Sequence, residues 1–409
     1  MFSGSLSSWF WWPYLAAAVV GHFGLYLAIY NRLNSLGIPR RRIKRLVWVF
    51  LVMCLVTPLV IAALYDDFLV RALFAEPPWL AMPAGLRAYT LLCLATWIYP
   101  GIAWLWTRPI FGFQHLRVDK SAEYARVARQ TDQPLALTPK CRWQSRLPFN
   151  QILDLAIEEK QLPVAGLPPR LDGLRIAHLS DIHLTGHIAP DYYRYVVERA
   201  TAWNPDLMAL TGDIVDVDRC IDWLAPCFQS ARAAEGCYFV LGNHDTRVAD
   251  PEQIRAAMTR IGWRDAGSRT IRKILRGVSV DLTGNEAPWF PAPPDLARGA
   301  PETSDGPAGQ GGDAAPADFR LALCHSPDCI HWARRSGVEL MLAGHTHGGQ
   351  GRLPILGPIL SPSRHGSRFA SGEFYLAPTT MHVSRGVSGV HLMRLRCPPE
   401  LALLVLRAA

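Results

Sequence analysis

The strongest constraint on this chain lies in its first 107 residues. Three stretches, 9–30, 47–65 and 89–107, contain no Lys, Arg, Asp or Glu, and each is 19 to 22 residues long. A helix rises about 1.5 Å per residue, so such runs cover the roughly 30 Å of hydrocarbon in a bilayer. Trp and Tyr gather near their ends (Trp9, Trp11, Trp12, Tyr14, Tyr65, Tyr89, Trp104, Trp106), as interface anchors do. Pro100-Gly101 falls inside the third run, where neighbouring helices can satisfy the backbone groups that a kink frees. No Lys or Arg precedes Arg32, so the charged start of a cleaved signal peptide is missing. The expectation is a three-helix transmembrane module over 1–107 that embeds the chain in a lipid bilayer.

Loop charges give its orientation. Between the first two runs lie Arg32, Arg40, Arg41, Arg42, Lys44 and Arg45 with no acid, whereas the next loop sets Asp66, Asp67 and Glu76 against Arg71 and Arg87. The positive-inside rule places the first loop in the cytoplasm. Three crossings then leave everything after Thr107 on the cytoplasmic side of a bacterial-type inner membrane, and a fourth would reverse that. No cluster of acids or bases suited to an ion path is read in the runs, so the module reads as an anchor and not as a transporter.

The formal charge is +8, carried by 37 Arg against 5 Lys. That balance suits an anionic substrate, an anionic membrane surface or nucleic acid, and charge alone does not separate them. No interleaved basic-aromatic stretch argues for nucleic acid. The nine Cys form no CxxC pair, which reads as buried thiols in a reducing compartment rather than a disulfide framework.

Residues 108–162 are mixed and basic and read as a juxtamembrane connector. From 163 to 409, short apolar runs alternate with amphipathic ones. LRIAHLSDIH (174–183), PDLMALTGDIV (205–215), CYFVLGNHD (237–245), FRLALCHSP (319–327) and VELMLAGHTH (338–347) are strand-like. Helical patterns near 190–203, 218–234, 250–261 and 328–336 separate them, so the fold class is α/β, a sheet covered by helices. Residues 286–317, rich in Pro, Gly, Ala and Asp, read as a flexible insertion, either filler or a substrate-facing lid. The stretch from Phe374 to Leu406 returns to strand character, and RLRCPPELALLVLR reads as a closing hairpin turning at Pro398-Pro399.

Five of the strand-like runs end in polar residues of one kind: Asp181-x-His183, Gly212-Asp213, Gly242-Asn243-His244-Asp245, His325, and Gly344-His345-x-His347. Ligands of α/β sheets bind beyond strand ends. Carboxylates, an amide and imidazoles together suit manganese, iron or zinc, and the preceding glycines allow tight turns and close backbone approach.

The order DxH, GD, GNHD, H, GHxH resembles the signature of the calcineurin-like metallophosphoesterases over roughly 160–409. The resemblance implies a four-layered α/β/β/α sandwich with two divalent metal ions, Mn²⁺ first among the candidates and Fe or Zn next, at the strand ends. It implies that Asp181, His183 and His347 bind one metal, that Asn243, His325 and His345 bind the other, and that Asp213 bridges them. A metal-bridging hydroxide is then the nucleophile, attacking phosphorus in line. His244 would sit just beyond the metals, donating a proton to the leaving oxygen or stabilising developing charge, with Asp245 orienting its ring or serving structure alone.

Other residues carry less. His178 falls on a strand and reads as core, and His187 lies in the loop after the first motif. Arg247 is a candidate phosphate contact or a surface Arg, and Asn285 and Glu286 read as loop polars. The segment SPSRHGSRFASGEF (361–374), with Arg364, His365 and Arg368, resembles the substrate-side loop of the membrane-associated bacterial branch, which includes phosphodiesterases and UDP-2,3-diacylglucosamine pyrophosphatases. Three readings follow: hydrolysis of a lipid-linked phosphoester or pyrophosphate such as UDP-2,3-diacylglucosamine, a phosphodiesterase of soluble diesters, or a non-catalytic membrane scaffold that keeps the fold for binding. Oligomeric state is not read from the sequence.

Overall fold

The computed structural model describes residues 8–75, 77–107, 115–131, 133–293, 303–304, 316–354 and 356–409. It divides into two compact units, Met1–Phe113 and Gln114–Ala409.

The first unit holds α1 (Ser8–Leu33), α2 (Arg40–Leu64), α3 (Asp66–Phe74) and α4 (Ala84–Thr107). Among the described residues, two helices are long and apolar enough to cross a membrane, Trp9–Leu33 and Arg40–Leu64. The expected count of three is thus corrected to two, although the third apolar run does form α4. Trp11, Phe68, Ala72, Met82 and Leu86 pack into a small core. His22 is buried, its Nε2 lies 2.8 Å from the Cys54 carbonyl and its Nδ1 2.5 Å from the Tyr89 hydroxyl, so one imidazole ties α1 to α2 and α4.

The second unit holds two sheets. Its strands are β1 (Asp119–Arg126), β2 (Asp154–Val164), β3 (Arg175–Leu179), β4 (Leu207–Thr211), β5 (Cys237–Val240), β6 (Arg264–Asp265), β7 (Thr270–Leu275), β8 (Val278–Asn285), β9 (Thr303–Ser304), β10 (Phe319–Cys324), β11 (Leu340–Ala343), β12 (Arg352–Leu353), β13 (Gly357–Pro358), β14 (Gly372–Leu376), β15 (Thr379–Val383) and β16 (Glu400–Ala408). One sheet runs β1-β2-β16-β3-β4-β5-β6 and the other β14-β15-β11-β10-β8-β7-β9; β12 and β13 pair separately. The supposed connector therefore contributes β1 and most of β2, paired antiparallel from Asp119↔Gln161 to Arg126↔Asp154. No hairpin forms at Pro398-Pro399. Instead β16 slots between β2 and β3, parallel to one and antiparallel to the other, and Leu395 makes only isolated bridges.

Period-2 alternation explains why the central strands are apolar throughout: both faces are covered. In β4, Leu207 and Ala209 face the core shared with the second sheet, while Met208 and Leu210 face α6 (Pro190–Ala202), α7 (Leu224–Phe228) and α8 (Glu252–Arg260). In β10, Leu321 and Leu323 join the intersheet core, and Ala322 and Cys324 pack toward α9 (Ile330–Arg335). β3, β4 and β5 run parallel, as do β8, β10, β11 and β15. Strands of one direction bring their C-terminal ends to one edge, and there the five motifs meet. All nine cysteines are buried and unpaired.

Candidate metal centre

Each motif begins one to three residues past a strand: β3 ends two before Asp181, β4 two before Asp213, β5 three before Asn243, β10 one before His325 and β11 two before His345. Turning these side chains into the crevice bends the backbone sharply. Asp181 (φ 52°), His183 (52°), Asp213 (55°), His345 (70°) and His347 (51°) all lie in the left-handed region. Few non-glycine residues adopt it, and such outliers cluster at functional sites. The neighbouring glycines are needed for approach. A Cβ on Gly344 would stand 1.7 Å from Ser180 Oγ and 2.4 Å from Asp181 Oδ2, and one on Gly242 would stand 2.4 Å from Asp213 Oδ1.

Two overlapping clusters result. Asp181, His183, Asp213 and His347 form one, Asp213, His325 and His345 the other, each with its ligand atoms within 4.8 Å of one another. His183 Nε2 lies 3.1 Å from His347 Nε2 and 3.5 Å from Asp213 Oδ2, while His347 Nε2 is 3.4 Å from Asp181 Oδ1. Across the shared carboxylate, His325 Nε2 is 3.3 Å from Asp213 Oδ1, 3.1 Å from His345 Nδ1 and 3.0 Å from Asn243 Oδ1. Neighbouring ligands about 2.1 Å from one cation, near 90° apart, stand roughly 3 Å from each other. These spacings fit two cations.

Proton positions agree. His325 Nδ1–H donates to the Thr211 carbonyl at 2.8 Å and His183 Nδ1–H to Asp216 Oδ2 at 2.7 Å, leaving each Nε2 lone pair aimed into the site. Asp181 accepts the His345 N–H with both oxygens, at 3.0 and 3.1 Å, and the Ser180 hydroxyl at 2.6 Å. Burial opposes charge on His325, but Asp213 and Asp181 outweigh it and the imidazole is pushed up to about 9. With no cation between them, the carboxylates draw a proton instead, which marks the site as one built for positive charge.

The remaining candidates fall differently. His244 donates its backbone N–H to Asp213 Oδ1 at 2.7 Å, and its ring stands on the rim of the site. Asp245 does not orient that ring. Its carboxylate is buried and accepts the backbone N–H groups of Ile214, Val215 and Gly242 at 2.7–2.9 Å, pinning two motif loops together. The orienting residue is Asp216, which the sequence reading passed over. One of its oxygens accepts from His183, and the other accepts from His244 Nδ1 at 2.6 Å and from Arg247. Arg247 also stands 2.7 Å from His244 Nε2, so the candidate phosphate contact sits against the candidate acid. Spacing was the available signal, since an acid three residues after Asp213 in a tight turn returns to the same site.

Glu286 corrects another expectation. It is fully buried, accepts the Leu241 N–H at 2.5 Å and pairs with Arg255 at 2.6 Å, bracing the loop that carries Asn243. Asn285 ends β8 and accepts the Ala287 N–H. The start of the expected flexible insertion is thus built into the site, and Trp289 packs 5.0 Å from the His345 ring and 5.6 Å from the His325 ring. Most of the insertion (294–302 and 305–315) lies outside the described residues. His178 is buried between His382 and Thr211, and His187 bonds Thr138. The His365 ring lies tilted 5.3 Å from His331 and edge-on to Phe369, Arg368 lies over Phe369, and the Arg364 N–H donates to Asp328. His365 and the Arg364 backbone are thus held beside α9 and the residues before it, while Arg368 packs on its own neighbour.

Paired His/Asp clusters sharing one carboxylate at the ends of parallel strands are suited to holding two cations. Residues 174–349 match the calcineurin-like phosphoesterases, and the second unit carries a metallophosphoesterase domain of that family; the chain is a phosphoesterase. It is 28% identical over 241 residues to phosphodiesterase YaeI of Escherichia coli (strain K12), covering 57% of this chain and 82% of that protein. It is 25% identical over 285 residues to the UDP-2,3-diacylglucosamine pyrophosphatase LpxG of Chlamydia trachomatis, covering 57% and 84%. A third relative, the transmembrane protein with metallophosphoesterase domain of Danio rerio, is 26% identical over 285 residues, and the match spans 62% of this chain and 57% of that one.

Proposed function

We propose that this chain is a membrane-anchored, two-metal phosphoesterase acting on a lipid-linked phosphoester or pyrophosphate, with UDP-2,3-diacylglucosamine as the favoured substrate. The observation that carries the two-metal reading is Asp213, whose two oxygens face the two histidine pairs separately. In this reading Asp181, His183 and His347 hold one cation, Asn243, His325 and His345 the other, and Asp213 both; Mn²⁺ is the candidate. When bound, the cations supply Lewis acidity toward a phosphoryl oxygen and a water of lowered pKa.

The protein's own groups do the rest. Asp216 fixes the His244 ring through Nδ1, and Arg247 donates to its Nε2 at 2.7 Å, so a phosphate that draws the guanidinium to itself frees Nε2 to take a proton. Burial holds the His244 pKa down, to about 4, so the free enzyme presents a neutral ring. The negative charge of an arriving phosphoryl group favours its protonation, and the imidazolium is then a proton source for the leaving oxygen. Arg247 offers the same phosphate a guanidinium. Helix–sheet–sheet–helix packing supports the four-layered sandwich.

The lipid-linked substrate is supported by the apolar helices, which hold the hydrolase beside a bilayer, and by the resemblance to LpxG. For the catalytic unit, its seven unpaired thiols suit a reducing, cytoplasmic compartment.

The test is product analysis of detergent-purified protein with Mn²⁺ on UDP-2,3-diacylglucosamine. UMP release, lost with chelator and in Asn243→Ala, is the expected result. Absence of release from a preparation that still cleaves bis(p-nitrophenyl) phosphate would discard the lipid substrate and keep the class.

A further inference from the structure

The catalytic unit displays large apolar side chains beside the metal centre that its fold does not use. Phe149 is 86% exposed although its backbone is held at φ 64°, a conformation that bulky residues avoid. Trp143, six residues earlier on the short helix α5 (Pro139–Gln144) that leads into this loop, is 65% exposed. The loop is tied down: Asn150 bridges Leu395, and its side chain donates to the Gln144 and Leu392 carbonyls. Leu395 also bridges Gly351, which opens the β12–β13 hairpin, and that hairpin exposes Leu353 (45%), Leu356 (53%) and Leu360 (49%). Large apolar groups exposed on both sides of one depression point to a surface that meets a partner.

The charge around these groups is one-sided. A surface depression of about 640 Å³ separates Phe149 from the hairpin, and Arg126, Arg352 and Arg396 line it against one carboxylate, Asp154. Arg352 also donates to the Gly348 carbonyl at 3.1 Å, so the hairpin is fastened to the turn that carries His347. Protruding aromatic and aliphatic groups around an arginine-lined depression are complementary to anionic headgroups over acyl chains.

We infer that this face, formed by the Phe149 loop, the β12–β13 hairpin and the arginines between them, is a contact surface for an anionic lipid bilayer that holds the mouth of the metal centre at the membrane. The inference goes beyond the substrate proposal, because it holds whatever ester is cleaved.

The experiment uses the full chain in nanodiscs of phosphatidylcholine alone or with phosphatidylglycerol. Since all nine native cysteines are buried, an environment-sensitive dye can be placed selectively at Leu356→Cys, at Arg146→Cys, or at Thr259→Cys as an exposed control on α8. At 356 and 146 we expect blue-shifted emission and loss of about half the intensity to brominated lipid, with no change at 259. Phe149→Asp in the Leu356→Cys background should abolish the quenching, and Arg396→Glu should weaken it in phosphatidylglycerol discs. Both should leave hydrolysis of bis(p-nitrophenyl) phosphate intact, which separates this inference from the enzymatic reading. Dyes at 356 and 146 that behave like the control would overturn it. So would dyes shielded only through concentration-dependent pairing in detergent, which would assign the face to a second copy.

Discussion

Asp216 offers the sharpest test of how the centre is held. Its two oxygens serve different masters: one accepts from His183 at 2.7 Å, the other from His244 at 2.6 Å and from Arg247. Asparagine has nearly the same shape but only one acceptor oxygen. In Asp216→Asn, one imidazole keeps its partner and the other meets an NH₂ group, donor against donor. A hydrogen bond to a charged group contributes about 1.5–3 kcal/mol, and 1.36 kcal/mol is tenfold. The loss is therefore roughly 10- to 150-fold in one of two quantities. If the amide oxygen stays with His244, Mn²⁺ affinity falls by about that factor, in line with the 10- to 100-fold typical of groups supporting a ligand. If it stays with His183, kcat falls at saturating metal. Turnover of bis(p-nitrophenyl) phosphate across a Mn²⁺ titration separates the cases, and circular dichroism confirms the fold. Asp216→Asn with both quantities within about threefold of wild type would refute the orienting role. If Asp216 acts through His244, adding His244→Ala should cost less than the product of the single losses.

Asp213→Ala and Asn243→Ala should each abolish turnover while leaving the chain folded, and near-normal activity in either would remove the two-metal mechanism. Gly344→Ala should lower both metal affinity and thermal stability, the latter by about 1–3 kcal/mol, because the new methyl would stand 1.7 Å from Ser180 Oγ; an unchanged melting temperature would contradict the packing. Chelation should inactivate the enzyme and lower its melting temperature, and Mn²⁺ should restore both, since cations bind the folded state preferentially. Between the sheets, buried Lys160 lies 2.6 Å from Glu400, 2.8 Å from Glu373 and 3.3 Å from Glu158. Burial raises the pKa of Glu400, but Arg385 and Lys160 outweigh it and hold the acid well below its usual range. A depressed carboxylate stabilises above its unfolded pKa, about 4.3, and that stability is lost as pH falls. Lys160→Met should therefore cost about 3–5 kcal/mol near neutral pH, and a denaturation series should show that difference from wild type shrinking as pH falls below the unfolded pKa, because protonating Glu400 removes the charge Lys160 offsets.

What the sequence by itself determined is the set of strand ends. DxH, GD, GNHD, H and GHxH each sit within three residues of a buried strand, and an apolar run with period 2 is visible without knowing its neighbours. The apolar N-terminal runs were legible for the same local reason, although two rather than three pass as spans among the described residues. Tertiary structure decided what distant partners define. Asp216, unremarked in the sequence, orients the His244 ring and Asp245 serves structure alone, because each is fixed by groups about thirty residues away. Glu286 reads as a loop acid until β8 brings it 45 residues back to the Leu241 N–H. The hairpin expected at Pro398-Pro399 became a strand inserted between β2 and β3, because sheet order is set by which apolar faces can be buried together. Local patterning specifies which residues can serve, and only packing specifies which of them meet.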